Sequence, residues 1–366
     1  MPADGGGKQL RVVVAGGGTG GHLFPGLAVA GEITKRCEGA RVLFVTGMRK
    51  MESGIISRSG FEQASIAVEG MKGRGWRGAL VLLKLPWSFF QCLAVMREFK
   101  PHLVFGVGGY SSGPVCVSAK VLGIPSAVHE QNSFPGVTNR LLCRVVDRVF
   151  ISFEESREHF SAGSLHFTGN PIREQFQEAK PQDRKDPRFT ILAVGGSQGA
   201  RAINDALVDA LVIMKERGMS LRVIHQTGHA DYERVLARYR EKGLHGDVTA
   251  FIQDMAGAYG QADLVVSRAG AGAIFELAAL GKPSILIPYP FAANHHQEAN
   301  AGVLVKAGGA EMMLQDALNG RVLADAFLKY MESPGALEGM AAAAGSVAMP
   351  GAAQNITNLL LDMIRP

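Results

Sequence analysis

Short apolar runs that lead directly into glycine-rich loops constrain the fold of this chain more than any other feature. Three such segments are RVVVAGGGTGGH (11–22), LVFGVGGYSSG (103–113) and TILAVGGSQGA (190–200). A glycine loop between a strand and a helix lets the backbone approach a phosphate, and the helix N-terminus adds unpaired N–H groups and the positive end of its dipole. Each segment therefore indicates either a phosphate-binding loop or simply a tight turn between strand and helix.

Strand-like runs alternate with helix-sized segments along both halves of the chain. The further runs are RVLFV (41–45), SAVHE (126–130), LRVIH (221–225), LVVS (264–267) and SILIP (284–288). This alternation predicts βαβ units and parallel sheets covered by helices on both faces. Because 366 residues exceed the size of one ordinary domain, we expect two domains, each with its own sheet. Ligands of such sheets bind where the carboxyl ends of the strands meet, so the loops should converge on one crevice.

Two segments mark the expected change from the first half to the second. They are SAGSLHFTGNPI (161–172) and the polar PQDRKDPR (181–188), which have the composition of a linker. Near the C-terminus, Ile356, Leu359, Leu360 and Met363 share one face of a predicted helix. That helix should pack against a domain already formed. Pro25 is expected near the start of the helix after the first loop, where an N–H would be unpaired anyway.

Composition excludes several classes of protein. With 47% hydrophobic and 19% charged residues the chain is globular, and its net charge of +5 indicates only a mild preference for anions. The cysteines Cys37, Cys92, Cys116 and Cys143 lack metal-ligand spacing and are expected to be free thiols in a reducing compartment. No apolar segment typical of a signal peptide precedes the first loop, so export is not expected.

The sequence offers no recognisable cofactor or metal site. The strand at 41–45 leads into Thr46 and Gly47 without the acidic residue that would hold the ribose of NAD. No GxxxxGK[ST] segment is present for ATP, and no DxD follows a strand to hold a divalent ion. The adjacent His295 and His296 would not share a helix face. We therefore expect neither metal nor cofactor.

Polar residues after the predicted strands are the candidate functional groups. His22 would lie at the mouth of the first loop, as a functional group or as a structural or capping histidine. The cluster His129-Glu130-Gln131-Asn132 ends a strand, as a binding site or as ordinary surface polarity. Glu276 has the position of a ribose ligand or of an acid that interacts with a helix dipole. Arg173 is a candidate partner for an anion.

Residues 78–96 have the length of a membrane-spanning helix, but Lys84, Pro86 and Gln91 lie inside the segment and argue against spanning. Basic residues and a tryptophan lie just upstream of the segment: Lys72, Arg74, Trp76 and Arg77. The segment itself contains Trp87, Phe89 and Phe90. This combination is typical of a surface that rests on anionic lipid. The alternative is a core helix with a basic flank.

Taken together, several motifs closely resemble the MurG family of N-acetylglucosaminyltransferases. They are GGGTGGHLFPGLAVA, GVGGYSSGP, GIPSAVHEQNSFPGVTNR, GNPIR, GGSQGARAIN, FIQDM and SRAGAGAIFELAALGKPSILIPYP, and they occur in order along nearly the whole chain. The resemblance implies an α/β GT-B fold, with two Rossmann-like domains whose parallel sheets face a central cleft. It implies an N-terminal acceptor domain at 1–166, a UDP-GlcNAc domain at 167–345, and a C-terminal helix at 346–366 that returns to the first domain.

The reaction implied is inverting transfer of GlcNAc from UDP-GlcNAc to the 4-hydroxyl of undecaprenyl-pyrophosphoryl-MurNAc-pentapeptide, in peptidoglycan synthesis. The implied partners are these two substrates and an anionic membrane surface, with no nucleic acid, for a peripheral protein on the cytoplasmic face of the bacterial inner membrane. Because UDP-GlcNAc 2-epimerases share the fold, an epimerase is the alternative.

The resemblance also implies a role for individual residues. The donor side would comprise Arg173 and Ser197 at the phosphates, Glu276 at the ribose, the Ile252 backbone at uracil, and Asn132 and Gln297 at GlcNAc. The acceptor side would comprise Thr19, Gly20 and Gly21, with Tyr110 as a further substrate contact and His22 as the base, Glu130 being its rival. Gly272 and Ala273 depart from the family, which usually has hydroxyl residues there, so backbone N–H groups are the alternative donors.

Overall fold

The computed structural model describes residues 9–17, 20–48, 50–68, 77–161, 163–177, 186–196 and 198–365. Contacts within the chain divide it into two units. The first unit comprises residues 1–173 together with 351–366, and the second comprises 174–350. Each unit is an α/β domain with its own parallel sheet.

The first sheet has seven strands in the order β3-β2-β1-β4-β5-β6-β7, all parallel. The strands are β1 (Arg11–Ala15), β2 (Arg41–Thr46), β3 (Glu62–Ser65), β4 (Leu103–Gly106), β5 (Ser126–Glu130), β6 (Arg148–Ile151) and β7 (Leu165–Phe167). The helices are α1 (Gly20–Arg36), α2 (Lys50–Arg58), α3 (Arg77–Phe99), α4 (Ser112–Val121) and α5 (Val137–Leu142). Since successive strands run outward from β1 on one side and from β4 on the other, the switch point lies between β1 and β4.

The second sheet has six parallel strands in the order β10-β9-β8-β11-β12-β13. They are β8 (Thr190–Val194), β9 (Arg222–Gln226), β10 (Asp247–Thr249), β11 (Leu264–Ser267), β12 (Ser284–Leu286) and β13 (Ala310–Met312). The helices are α6 (Glu174–Gln177), α7 (Arg201–Glu216), α8 (Tyr232–Glu241), α9 (Met255–Gln261), α10 (Ala271–Ala279), α11 (His296–Ala307), α12 (Gly320–Met331) and α13 (Pro334–Ser346). Its switch point lies between β8 and β11, so each domain has one crevice of the kind that binds ligands.

Residues of β1 show how the first sheet builds its core. Val12 and Val14 face one side and pack with Val29 and Ile33 of α1. Val13, one residue along, faces the other side, because side chains alternate along a strand. All of these side chains are fully buried, and each contributes about 1.5–3 kcal/mol by leaving water. The sheet is therefore covered on both faces, as the continuous apolar run predicted.

The last helix, α14 (Ala352–Asp362), belongs to the first domain and packs on α1. Its Ile356 and Leu360 are buried in the same cluster as β1, and Leu359 and Met363 pack against that cluster. The Arg148 guanidinium donates to the Leu359 carbonyl oxygen at 2.5 Å, which ties α14 to β6. The four residues that the sequence predicts on one helix face thus all meet the core of this domain.

Pro25 lies near the start of α1, but the prediction that an N–H there would be unpaired is wrong. α1 begins at Gly20 and contains Pro25 within the helix, so the proline occupies the second turn. Because proline has no N–H, the Gly21 carbonyl loses its usual partner four residues on. The consequence for function is that Gly20, Gly21 and His22, rather than Pro25, form the first turn and direct their amides past the helix end.

The cysteines are free thiols, as predicted: Cys92, Cys116 and Cys143 are buried and Cys37 is half-buried. Burial raises the pKa of the Cys92 and Cys116 thiols to about 12, so neither is a ready nucleophile. Within the described ranges, no helix combines the length and apolar character needed to cross a membrane.

Candidate active site

Two glycine loops lie against each other at the β1–β4 switch point of the first domain. Gly109, with φ of +78°, approaches so closely that a β-carbon there would stand 2.3 Å from the Gly17 carbonyl oxygen. A β-carbon on Gly16 would stand 2.2 Å from Cγ2 of Val107. Only glycine fits this backbone packing. The loops after β1 and β4 therefore form one surface, of which Gly18 and Thr19 lie outside the described residues.

His22 stands in the first turn of α1, half-buried beside the second of these loops. Its Nδ1 lies 2.9 Å from Oε1 of Gln131. A β-carbon on Gly108 would come within 2.9 Å of the same nitrogen, so the imidazole rests directly on the Gly108 backbone. The ring is held from its Nδ1 side by Gln131 and the loop after β4.

The residues that end β5 are buried, so the surface-polarity interpretation of this cluster is wrong. His129, Glu130 and Gln131 are each at most 2% exposed. Nε2 of Gln131 lies 3.0 Å from the Val107 carbonyl oxygen and 3.0 Å from Nδ1 of His129. Nε2 of His129 lies 3.2 Å from the Gly169 carbonyl oxygen. Sequence reasoning noted Gln131 only as part of a polar cluster, although it is the residue that touches His22.

Glu130 organises the loop between β5 and α5. Its Oε1 accepts hydrogen bonds from the backbone N–H and the side-chain amide of Asn132, at 3.0 and 3.2 Å. Its Oε2 accepts from the Gly136 N–H at 3.1 Å and from the Asn139 amide at 2.9 Å. Both carboxylate oxygens are thus occupied within the loop, and Asn132 is held at its turn.

Tyr110 and Arg173 are the other predicted site residues of this domain. Tyr110 is 42% exposed and follows Gly109 at the end of the loop after β4. The Arg173 guanidinium stacks on the Phe24 ring of α1, 4.9 Å from the ring centroid. Arg173 closes the first unit, so its positive charge lies beside the helix that carries His22.

In the second domain, the glycine loop after β8 leads into α7, which begins at Arg201. Gly199 has φ of +76°, and a β-carbon there would lie 2.1 Å from the Thr227 carbonyl oxygen. The loop is therefore pressed against the end of β9, and the first-turn N–H groups of α7 follow it. Ser197 lies outside the described residues.

Gln226, which sequence reasoning missed, joins this loop to Ile252. Its amide donates to the Gly196 carbonyl at 3.1 Å, and its Oε1 accepts from the Ile252 N–H at 2.9 Å. The Ile252 N–H is therefore engaged within the domain. The signal in the sequence is a polar residue directly after the apolar run of β9.

Glu276 lies half-buried in the middle of α10, one turn beyond the helix start at Ala271. The Tyr259 hydroxyl lies 3.4 Å from its Oε2. At Gly272, in the first turn of α10, a β-carbon would meet nothing within 4 Å. Space for a side chain at this position is therefore present.

Gln297 stands in the first turn of α11, where its Oε1 accepts from the Tyr289 N–H at 2.9 Å. Before it, Asn294 and His295 both have left-handed backbones, with φ of 52° and 51°. Such strain in non-glycine residues clusters at functional sites. His295 pairs with Glu298, whereas His296 contacts the Ala293 carbonyl, so the two rings have different partners.

Two buried histidines predict acid sensitivity in both domains. Burial lowers the pKa of His129 and that of His225 to about 4, against a small opposing effect of Gly169 and Asp231 respectively. The unfolded chain, with ordinary histidine values near ~6.5, takes up protons first as pH falls. The free energy of unfolding is therefore unaffected by these histidines above pH ~6.5 and falls between pH ~6.5 and ~4. The expected loss is about 2 kcal/mol per histidine at pH ~4.5.

This effect is measured by thermal unfolding at neutral and acidic pH of the wild type and of His225→Gln. The variant lacks the titrating ring, so its second domain should lose less stability on acidification. An equal loss in both proteins would show that His225 does not contribute.

The chain is similar throughout its length to known glycosyltransferases. Residues 12–151 match the N-terminal domain of glycosyltransferase family 28, and residues 190–356 match the C-terminal domain of that family. Together with two glycine-loop crevices, these matches define the class of protein as a family 28 glycosyltransferase.

Individual relatives identify the family more narrowly than the family 28 matches do. The chain is 47% identical over 358 residues to the UDP-N-acetylglucosamine–N-acetylmuramyl-(pentapeptide) pyrophosphoryl-undecaprenol N-acetylglucosamine transferase of Syntrophus aciditrophicus, covering 97% of this chain and 99% of the relative. It is 43% identical over 361 residues to the transferase of the same name from Geobacter sulfurreducens, with 97% and 99% covered. The chain belongs to the MurG family of N-acetylglucosamine transferases.

Solved structures agree. The crystal structure of Acinetobacter baumannii MurG superposes with a TM-score of 0.78 at 32% identity, covering 96% of this chain and 99% of that one. A UDP-N-acetylglucosamine 2-epimerase reaches a TM-score of 0.68 at 14% identity, covering 97% and 96%, which is a likeness of fold alone. The predicted family and the GT-B fold are confirmed.

Proposed function

We propose that this protein transfers N-acetylglucosamine from UDP-N-acetylglucosamine to the 4-hydroxyl of the muramyl sugar in undecaprenyl-pyrophosphoryl-MurNAc-pentapeptide. The product is the lipid-linked disaccharide of peptidoglycan synthesis. The observation that carries the proposal is the 47% identity, over 97% of this chain, to a transferase whose name states both substrates. The two crevices support it, because each substrate carries one pyrophosphate and each domain has one glycine-loop switch point.

The first domain binds the lipid-linked acceptor in this proposal. The amides of Gly20 and Gly21 in the first turn of α1 meet the acceptor pyrophosphate, together with Thr19. Arg173, stacked on Phe24, adds a fixed positive charge beside that helix; the same charge suits the phosphates of either substrate. Tyr110, exposed after Gly109, contacts the sugar.

His22 is the general base. As the acceptor 4-oxygen attacks the anomeric carbon of GlcNAc, Nε2 of His22 takes the hydroxyl proton, and the bond to UDP breaks with its electrons going to the departing phosphate oxygen. Attack and departure occur on opposite faces of the sugar, which gives inversion. A half-buried ring, held through Nδ1 by Gln131, suits this role because its second nitrogen is left for the substrate.

Glu130, the rival base, is better suited to holding its loop. Its two oxygens already accept four hydrogen bonds from Asn132, Gly136 and Asn139. Taking a substrate proton would require it to give up at least one of them in a buried setting, which is costly.

The second domain binds the donor. The loop around Ser197 and the first turn of α7 hold the UDP phosphates and stabilise the charge that develops on departing UDP. Glu276 accepts the ribose hydroxyls, and the Ile252 carbonyl accepts N3–H of uracil while Gln226 holds its N–H. Gln297 and Asn132 contact the GlcNAc.

The proposal is tested by incubating the purified protein with UDP-GlcNAc and a lipid-linked muramyl acceptor. A disaccharide and UDP should form in equal amounts, and only when both substrates are present. Formation of UDP-ManNAc without an acceptor would instead identify an epimerase. A chain that releases UDP without disaccharide would contradict the acceptor assignment.

We propose further that the first domain rests on the anionic cytoplasmic leaflet of the bacterial inner membrane. Three helices that pack side by side each expose an apolar pair one turn apart: Trp87 and Phe90 on α3, Val117 and Val121 on α4, and Val137 and Leu141 on α5. We call these six residues the apolar face.

Basic residues accompany this face: Lys120, Arg140 and Arg144 are exposed on the same helices or just after them. Exposed aromatic and basic residues together suit a lipid surface. The upstream basic residues Lys72 and Arg74, with Trp76, lie outside the described residues.

Loss of the apolar face should release the protein from lipid. Trp87 and Phe90 are 63% and 62% exposed, so Trp87→Ser with Phe90→Ser removes apolar contact without opening the core. We expect at least tenfold weaker binding to vesicles containing phosphatidylglycerol, measured by sedimentation. Val322→Ser, at an exposed apolar position of the second domain, is the control. Unchanged sedimentation of the double variant would contradict this surface.

A further inference from the structure

A chain of hydrogen bonds behind His22 determines which of its nitrogens carries the proton. It runs from the Gly169 carbonyl through His129 and Gln131 to His22. His129 and Gln131 are buried. Each link can be assigned a direction from groups that only donate or only accept.

The amide of Gln131 has one permitted orientation. One end of it lies 3.0 Å from the Val107 carbonyl oxygen and 3.2 Å from the His129 carbonyl oxygen. Carbonyl oxygens only accept, so the NH₂ group must be at that end. The opposite end, which faces His22, is therefore the oxygen Oε1.

The direction at His22 follows at once. Oε1 of Gln131 only accepts, and it lies 2.9 Å from Nδ1 of His22. The proton of the neutral ring must then be on Nδ1, which leaves Nε2 as the unprotonated nitrogen.

His129 reinforces the same direction from the other side. Its Nδ1 accepts from the Gln131 amide, whose two N–H groups are shared among this nitrogen and the two carbonyl oxygens. Its Nε2–H points to the Gly169 carbonyl, with the Ser152 hydroxyl 3.0 Å from the same nitrogen. Full burial lowers the pKa of His129 to about 4; the hydrogen bond to Gly169 opposes this shift and the nearby His22 adds to it. At neutral pH the ring therefore stays uncharged and keeps Nδ1 as an acceptor.

We propose that Gln131, oriented by His129 and the Val107 carbonyl, is a positioning residue that holds His22 in the Nδ1–H tautomer so that Nε2 is the base. This inference rests on the proposed role of His22 in the transfer. An imidazole in the opposite tautomer would present an N–H to the acceptor hydroxyl and could not take its proton. A base locked in the wrong tautomer has large kinetic consequences in other enzymes.

The tautomer itself is the primary readout. Long-range ¹H–¹⁵N spectra of protein labelled at histidine distinguish the Nδ1–H from the Nε2–H form, and the spectrum of His22→Gln identifies the His22 signals. At pH 7.5 we expect His22 in the Nδ1–H form in the wild type. In Gln131→Leu, the preference should shift to Nε2–H, the form that free imidazole side chains favour. A wild-type His22 in the Nε2–H form would overturn the inference, whether or not any variant folds.

Kinetics supply the second readout. Gln131→Leu should lower kcat about 100-fold, with KM for UDP-GlcNAc changed less than threefold, because the group behind a reacting residue is removed and no substrate contact is lost. Gln63→Leu, at a half-buried glutamine of β3 in the same domain, is the matched control and should keep wild-type turnover. If Gln131→Leu keeps wild-type kcat, the positioning role is wrong.

The two levels of inference fail separately. If His22→Ala retains turnover, the base assignment falls although the tautomer remains measurable. If His22→Ala loses turnover but the wild-type ring is Nε2–H, only the role of Gln131 falls.

Discussion

His22→Ala should lower kcat by about 10² to 10⁴-fold while KM for UDP-GlcNAc changes little, since removing a general base affects the transition state and not donor binding. The ring stands in the first turn of α1, and donor binding is proposed to rest on residues other than His22. The measurement is steady-state transfer with both substrates varied.

Two comparisons make this result specific. His22→Gln keeps a polar side chain that can reach Gln131 but offers no basic nitrogen, so it should be as inactive as His22→Ala. His245→Ala removes an exposed histidine ahead of β10 in the second domain and should be as active as the wild type. Turnover within threefold of wild type in His22→Ala would remove His22 from the chemistry.

The interior strands of both sheets could be predicted from the sequence because buried parallel strands consist of continuous apolar residues. The runs at 11–15, 126–130, 190–194 and 264–267 are strands with those bounds. The other runs differ by one or two residues at an end: β2 reaches Thr46, β4 stops at Gly106, β9 is shifted to 222–226, and β12 stops at Leu286. Backbone pairing, which decides these ends, leaves little trace in side-chain pattern.

Five strands were not predicted from the sequence, and four of them are the outermost strands of the sheets: β3, β7, β10 and β13. These strands are three or four residues long and partly exposed, as in β3 (Glu62–Ser65). An edge strand pairs with a neighbouring strand on one side only and is partly exposed, so its sequence need not be a continuous apolar run. β6 was missed because its four residues directly follow a short loop after α5.

For the candidate site, the sequence identifies only which polar residues follow the strands. His22, Glu130 and Glu276 could be picked out, and so could the glycine loops. What sequence does not contain is burial and partner choice. Gln131 and Gln226 look like any polar residue after a strand, yet each joins two other segments of its domain through the two ends of its side-chain amide. The difference between Glu130, which holds its loop, and His22, which we propose faces the substrate, lies in those contacts.

Glu130→Ala should destabilise the first domain strongly. The carboxylate accepts hydrogen bonds from Asn132, Gly136 and Asn139, and it is 2% exposed. Each buried donor left without an acceptor costs about 1–3 kcal/mol. Several donors are lost together, so the expected loss is on the order of 4 kcal/mol, which places the change among severe substitutions. For a domain of this size, the melting temperature should fall by roughly 10 °C.

Differential scanning calorimetry measures this change, with Glu155→Ala as the matched control. Glu155 is exposed in the turn after β6, so its removal should shift melting by about 1 °C or less. Transfer is then assayed well below the melting temperature of the variant and expressed per folded molecule. There the Glu130→Ala enzyme should retain turnover, because His22 is still present. Wild-type melting combined with a 10³-fold loss of turnover would mean that Glu130 takes part in proton transfer. Its four hydrogen bonds would then be exchanged during the reaction instead of holding the loop.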